Sequence, residues 1–189
     1  TAIALAREHE APLHVLHLST AREMELFEPG PMKGKLVTAE VCVHFLHFDS
    51  RDYPQLGNLI KSNAAIKSPA DRSALMEALK TGRTDIIATD HAPHTSEEKA
   101  STDYRKAPSG LPLVQHMLPM MLELSRQGVL SLTQVVEKAA HNPAILFGVT
   151  DRGFIREGYF ADLAIVDLDA RETIEAGSIL YKCGWSPLQ

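Results

Sequence analysis

Three apolar segments with strand character alternate with helix-start signals along residues 1–150, and this alternation constrains the fold more than any other feature. The segments are Leu13–Ser19, Leu36–Val43 and Asp85–Thr89. Helix starts are marked by Ser68-Pro69 and by capping boxes that begin at Thr20 and Ser131. Strands separated by helices form parallel sheets whose faces the helices cover. We therefore predict an α/β fold.

Polar residues follow the first and third segments, where each strand is expected to end. His17 lies at the end of the first segment, and Asp90 directly follows the third. The carboxyl ends of parallel strands lie at one edge of a sheet, and in a (β/α)8 barrel that edge carries the catalytic residues. Periodicity alone does not distinguish a closed barrel from an open doubly wound sheet, so both architectures remain open here.

The character of the sequence changes near residue 150. Gly153 and Gly158 are followed by the short β-rich runs Leu163–Val166 and Thr173–Ile174. Short runs of this kind between glycines are typical of a small β-rich module. We therefore predict an α/β unit over residues 1–150 and a small β-rich unit over residues 151–189.

Composition excludes several classes of partner. The 189 residues carry a net charge of −5 and no basic block, which argues against nucleic acid or an anionic membrane. No apolar run approaches the ~20 residues that cross a bilayer. Cys42 and Cys183 are too few and too far apart for a disulfide framework or a CxxC zinc site. We interpret both as reduced thiols of a cytoplasmic protein.

The stretch Thr89–Thr95 places one aspartate and two histidines around a proline, immediately after a buried strand. An isolated charge in an apolar interior is very costly, so this carboxylate needs a partner, and a divalent metal ion is the obvious one. We expect Asp90 to bind the metal and to take a proton from water, because a divalent ion lowers the pKa of its water to roughly 7. We expect His17 to be a ligand facing the same mouth.

Each of these residues also has a simpler structural interpretation. Asp90 has the alternative of a turn or helix-cap aspartate, and His17 that of a core histidine with satisfied hydrogen bonds. His94 is either a surface residue or a ligand of an anionic substrate group, and Asn63 either forms a turn or binds a planar amide. His14, three residues before His17, is expected to be structural or at the surface.

Several motifs together resemble the dihydroorotases of the amidohydrolase superfamily. The motifs are Thr89–His94 followed by Glu98-Lys99, His14–Thr20, Ala39–His44, the asparagine segment Lys61–Lys67, the loop Ala107–Gly110, and Gly158–Leu163. The resemblance covers essentially the whole chain. It implies the second half of a (β/α)8 barrel followed by part of a small β-sandwich.

The resemblance implies a specific reaction, the reversible closure of N-carbamoyl-L-aspartate to L-dihydroorotate in pyrimidine synthesis. One or two zinc ions would polarise the amide carbonyl, Asp90 would bind metal and carry the proton, and His17 would bind the second metal. The residues implied to hold the substrate are Asn63, His94 and the backbone of Ser109 and Gly110. The implied assembly is a homo-oligomer, with aspartate transcarbamoylase as a second potential partner.

The sequence departs from the family pattern in ways that leave alternatives open. Val43-His44-Phe45 stands where the family has Pro-His-His, which leaves His44 without an assigned role, and Ala64-Ala65 replaces Pro-Pro. The family's N-terminal metal ligands have no counterpart here, so the isolated chain is expected to be inactive and to bind zinc weakly. The alternatives are a hydantoinase, dihydropyrimidinase or allantoinase, and a catalytically silent scaffold.

Overall fold

The computed structural model describes residues 2–189; Thr1, where the expected first helix begins, lies outside the described residues. Three parallel strands form one sheet in the order β1-β2-β3. The strands are β1 (Leu13–Val15), β2 (Val37–Cys42) and β3 (Ile86–Ala88). In the register, Leu13 pairs with Val37 and Glu40 pairs with Ile86. The predicted parallel sheet is therefore confirmed, with shorter first and third strands than expected.

The middle strand lies at the centre of the core. Ala39 and Val41 of β2 are completely buried, as are Ile60 and Leu111 elsewhere in the same core. A parallel sheet is covered on both faces, which explains why every residue of β2 after Val37 is buried. Two of these buried residues, Thr38 and Glu40, are polar, and the carboxylate of Glu40 needs a partner.

Short helices connect and cover the strands. The α-helices are α1 (Ala2–Glu8), α2 (Ala21–Met24), α3 (Val43–His47), α4 (Tyr53–Leu56), α5 (Pro69–Thr81), α6 (Ser96–Lys99), α7 (Met117–Arg126), α8 (Leu132–Val136) and α9 (Asn142–Leu146). Turns of 3₁₀-helix span Gly57–Ile60, Val114–His116 and Ala176–Ser178. A π-helical turn, Glu137–His141, joins α8 to α9, so the helix expected to end near Ala140 runs on instead.

Helix α5 shows how local signals fix the element boundaries. The Ser68 side chain accepts a hydrogen bond from the Asp71 backbone N–H, and the Asp71 side chain accepts one from Ser68. Gly82 ends the helix with a φ of +74°, a conformation that favours glycine. The buried side chains of α5, Leu75 and Leu79, pack toward the core, and α5 contacts α2 and α3. The predicted capping boxes at Thr20 and Ser131 are also formed.

The apolar face of residues 110–127 and the glycine at 128 predict a long helix over Gly110–Gln127, with a kink at Pro119, but the helix begins later. The Leu111 carbonyl accepts a hydrogen bond from the Ala92 N–H, so this stretch pairs with the loop after β3 instead of coiling. Helical structure begins with the 3₁₀ turn at Val114. Pro119 therefore lies in the first turn of α7, where no intrahelical donor is lost, and the kink expected there is not needed.

The two strands expected at Leu163–Val166 and Thr173–Ile174 are not formed within the described residues. A strand is stabilised by ladder hydrogen bonds to a neighbour, and Ile165 here is fully exposed. The division of the chain near residue 150 stays a prediction. No helix within residues 2–189 has both the length and the apolar character that crossing a membrane requires.

Candidate functional site

The carboxyl ends of the three strands bring His17 and Asp90 to either side of β2. His17 follows the last residue of β1 by two positions, and Asp90 follows the last residue of β3 by two positions. Because β2 lies between the other strands and Cys42 pairs with Ala88, both residues leave the sheet at its carboxyl edge. The structure therefore places the two predicted metal ligands at one rim.

Both predicted ligands have a left-handed backbone. The φ angle of His17 is +38° and that of Asp90 is +45°. Among the described residues, only two other non-glycine positions, Glu10 and Asp151, have positive φ. Such backbone costs about 1–3 kcal/mol per residue and is concentrated at functional sites. The strain at both strand ends supports a role for these side chains beyond packing.

Glu40 fixes the turn that carries His17. The His17 backbone N–H donates to Glu40 Oε1 at 3.3 Å, and His14 Nε2 lies 3.2 Å from Glu40 Oε2. His14 Nδ1 lies 2.9 Å from Thr38 Oγ1, so this histidine is held by β2 on both ring nitrogens. No motif in the sequence assigned Glu40 a role, although a carboxylate within a strand segment was the available signal.

The end of β2 is electrostatically linked to both neighbours. Burial raises the pKa of the Cys42 thiol, and the negative charges of Glu40 and Asp90 raise it further. Burial lowers the pKa of His44 to about 3, with a smaller contribution from the charge of His17. His44 is 1% exposed, and neither of its ring nitrogens has a hydrogen-bond partner among the described residues. It is therefore a neutral imidazole beside the rim.

The rim carries two side chains of the types that bind zinc, but these are too few for a complete zinc site. His17 offers an imidazole nitrogen and Asp90 a carboxylate oxygen, both of which zinc accepts. Within residues 2–189, no three His, Cys, Asp or Glu side chains are grouped to hold a metal ion. Since a catalytic zinc normally takes three protein ligands, this chain supplies only part of such a site.

His94 and Ser109, two predicted substrate ligands, are in direct contact. His94 Nε2 lies 3.1 Å from the Ser109 carbonyl oxygen. A carbonyl only accepts, so this contact assigns the proton to Nε2. The His94 carbonyl accepts the indole N–H of Trp185 at 2.8 Å, which ties the end of the chain to the site.

Gly110 lies where only glycine fits. Its φ is +136°, and a side chain there would overlap the side chain of Ala92. Its backbone N–H donates to the Lys61 carbonyl at 2.9 Å, so this donor is already used inside the protein. His94, Ser109 and Gly110 therefore form one loop cluster. Asn63 is exposed and is linked to this cluster through the chain, two residues after Lys61.

Comparison with known proteins identifies the family. The amidohydrolase family matches residues 3–181. The chain belongs to the amidohydrolase family. An amidohydrolase called dihydroorotase in Halobacterium salinarum is 37% identical over 188 residues, covering 100% of this chain and 43% of that protein. A dihydroorotase of Methanothermobacter thermautotrophicus is 35% identical over 187 residues, covering 99% of this chain and 42% of that protein.

Solved amidohydrolase structures share the architecture. The L-hydantoinase (dihydropyrimidinase) of Arthrobacter aurescens superposes with a TM-score of 0.90 at 32% identity, covering 99% of this chain and 42% of that chain. A Saccharomyces cerevisiae dihydroorotase in complex with 5-fluoroorotic acid superposes with a TM-score of 0.65, covering 73% of this chain and 38% of that chain. At 16% identity the latter shows the fold alone.

These comparisons confirm the dihydroorotase resemblance and the α/β fold class of a partial amidohydrolase barrel. The chain spans less than half the length of the curated relatives that it matches. The metal-binding and substrate-binding roles of the site residues stay predictions.

The charge-rich composition of residues 96–106 predicts a solvated loop or flap, and most of this stretch is exposed. It differs from the prediction at its start, where Ser96–Lys99 form α6, capped by the Thr95 side chain. Lys99 is only 1% exposed. The charge-rich composition concealed one lysine that points inward, because a lysine can bury its ammonium group where backbone carbonyls receive it.

Proposed function

We propose that the full-length protein is a zinc-dependent cyclic amidohydrolase, and that it interconverts N-carbamoyl-L-aspartate and L-dihydroorotate. The observation that carries this proposal is the pair of left-handed residues, His17 and Asp90, leaving the sheet on either side of β2. The relatives called dihydroorotase support the choice of reaction.

His17 and Asp90 would hold zinc, which supplies Lewis-acid polarisation of the amide carbonyl when bound. In the hydrolytic direction, an Asp90 carboxylate oxygen takes one proton from the attacking water as its oxygen bonds to the carbonyl carbon. Asp90 then returns this proton to the departing ring nitrogen as the carbon–nitrogen bond breaks. The closure reaction follows the same steps in reverse.

The loop cluster and Asn63 supply the groups that position the substrate. The Asn63 side chain offers both a donor and an acceptor to a planar cyclic amide. Among the described residues, the Ser109 N–H has no acceptor, whereas the Gly110 N–H is taken by Lys61. We assign the loop's backbone donor to Ser109. We assign His94 to the anionic group of the substrate as an imidazolium that donates from Nδ1, since its Nε2 donates to the Ser109 carbonyl.

A hydantoinase is the second candidate. It is favoured by the 0.90 TM-score and 32% identity to the L-hydantoinase of Arthrobacter aurescens. A silent scaffold for aspartate transcarbamoylase is the third, but a scaffold has no need to maintain strained backbone at two potential ligands. A homo-oligomeric state and a cytoplasmic location remain predictions.

Steady-state turnover by the full-length zinc-loaded protein distinguishes these functions. We expect kcat/KM for dihydroorotate to exceed that for hydantoin, dihydrouracil and allantoin by about a hundredfold or more, because an unpaired anion-binding site disfavours uncharged rings. A preference for hydantoin would support the second candidate. Absence of turnover with all four compounds would support the scaffold.

A further inference from the structure

Five consecutive carbonyl oxygens are hydrogen-bonded inside the protein in the segment Ala107–Leu111, called here the substrate loop. Their donors, in chain order, are Lys61 Nζ, Lys99 Nζ, His94 Nε2, Lys99 Nζ again and the Ala92 backbone N–H. Three of the five acceptors are thus served by lysine side chains. The conformation of the substrate loop therefore depends on two ammonium groups that lie outside it.

The ammonium group of Lys99 has as many carbonyl acceptors around it as it has N–H donors. Its Nζ lies 3.0 Å from the Lys61 carbonyl, 3.1 Å from that of Pro108 and 2.8 Å from that of Gly110. An ammonium group has three N–H donors, and three carbonyls use them. Helix α6, whose last residue is Lys99, is therefore an anchor for the substrate loop.

Lys61 holds the other end of the same loop. Its Nζ donates to the carbonyls of Tyr104 and Ala107, and lies 4.2 Å from the centre of the Tyr104 ring. Its own carbonyl accepts from the Gly110 N–H and from Lys99. Lys61 thus joins the Asn63 segment, α6 and the substrate loop into one hydrogen-bonded unit.

Neither ammonium group has a carboxylate partner among the described residues, although both lysines are buried. Burial, together with a smaller contribution from the nearby charge of Lys61, lowers the pKa of Lys99 to about 8. A buried charge without a carboxylate partner is costly, so the carbonyls that accept from Lys99 must stabilise its ammonium group. An apolar side chain of the same volume would leave these buried carbonyls without donors. Loss of the ammonium group therefore acts on the substrate loop through the carbonyls that it holds.

We propose that Lys99, assisted by Lys61, is a positioning residue that sets the substrate loop so that the Ser109 N–H remains its available backbone donor. The ligand it serves is a cyclic amide or ureide with an oxygen acceptor for that N–H; this deepens the proposed function and rests on it. Neither lysine touches the reacting atoms. Their loss changes how the substrate is held, and leaves the chemical step at the strand ends in place.

The test compares Lys99→Met and Lys61→Met in the full-length protein, with Lys106→Met as the matched control. Lys106 is exposed in the adjacent loop, and its side chain forms no hydrogen bond among the described residues. We expect Lys99→Met to raise the KM for dihydroorotate about tenfold while kcat changes less than about threefold. Hydrogen exchange of the peptide covering residues 104–111 should become faster in both variants and stay unchanged in the control.

Two results would overturn the proposal: unchanged exchange with unchanged KM in both variants, or a loss confined to kcat. If Lys99→Met does not fold, Lys61→Met carries the same comparison, since it releases Ala107 and Tyr104. A wild-type protein without turnover of any cyclic amide would refute the proposed function. Hydrogen exchange would still decide whether the two lysines hold the loop, so the two failures are distinguishable.

Discussion

The buried carboxylate of Glu40 accepts the backbone N–H of His17 from the neighbouring strand end, at 3.3 Å from Oε1. Its other oxygen lies 3.2 Å from His14 Nε2. One side chain of β2 therefore holds the left-handed turn that aims His17. Outer contacts to the ring of a metal-binding histidine typically contribute 10–100-fold to metal affinity or activity, and Glu40 acts on His17 through its backbone instead.

We predict that Glu40→Leu lowers both zinc content and dihydroorotate turnover of the full-length protein by about tenfold or more. Glu40→Gln should lose less, since its amide oxygen can still accept the His17 N–H. Metal analysis after dialysis and steady-state assays measure the two effects. Glu77→Gln, at an exposed position on α5, serves as the control for loss of one negative charge. Full zinc content in Glu40→Leu would argue against this support.

Gly110→Ala should displace the substrate loop. The new methyl group would overlap the Ala92 side chain, and φ of +136° is itself unfavourable for alanine. Gly128→Ala is the matched control, because Gly128 has φ of +72° but nothing within 4 Å of the added atom. We expect chemical denaturation to show that Gly128→Ala lowers the free energy of unfolding by at most about 1–3 kcal/mol. Gly110→Ala should lower it by more. Equal losses would show that the overlap with Ala92 contributes nothing to the destabilisation.

Trp185→Phe should weaken substrate binding without unfolding the protein. The substitution keeps an aromatic ring in a buried position but removes the indole N–H that the His94 carbonyl accepts. Losing one such hydrogen bond costs about 1 kcal/mol, or roughly a fivefold rise in KM if it is expressed in binding. Kinetics with dihydroorotate measure this rise. An unchanged KM together with an unchanged melting temperature would show that the contact does not support His94.

Lys99 should give stability a characteristic pH dependence. Its pKa is lowered to about 8 in the folded protein, mainly by burial, from an ordinary value of 10.5. Between these values the unfolded chain binds more protons, so the free energy of unfolding rises with pH, by at most about 1.4 kcal/mol per unit. Other buried groups, such as Cys42 with its raised pKa and Lys138 with its lowered pKa, contribute equally to the slope of every variant. Urea denaturation at pH 7.5, 8.5 and 9.5 should therefore give a more positive slope in the wild type and in Lys106→Met than in Lys99→Met. Equal slopes in all three proteins would show that Lys99 does not contribute.

Much of the fold was predictable because its signals are local. The caps at Thr20, Ser68 and Ser131 each depend on residues within one helical turn, and all three are formed. The positions of His17 and Asp90 at one edge of the sheet were predictable because both residues follow apolar strand segments. The composition of the β-rich runs after residue 150 does not determine whether they form strands, because a strand depends on a neighbouring strand for its hydrogen bonds.

The contacts that support the site were not predictable, because they join residues that are far apart in the sequence. Glu40 lies 23 residues from His17, Lys99 lies 38 residues from Lys61, and Trp185 lies 91 residues from His94. Nothing in a local pattern specifies which distant backbone group a buried side chain will meet. The charge-rich stretch around Lys99 therefore appeared solvated until the fold placed three carbonyls around its ammonium group.

Asp90→Asn in the full-length protein separates the proposed metal and proton roles of Asp90 from a purely structural one, with zinc content and dihydroorotate turnover as the measurements. Asparagine preserves the shape of the side chain but cannot accept the proton, and it is a poorer zinc ligand. We predict that turnover falls by at least about a hundredfold, that zinc content falls, and that the circular dichroism spectrum is unchanged. Wild-type turnover in Asp90→Asn would show that Asp90 and His17 do not form the working centre of this rim.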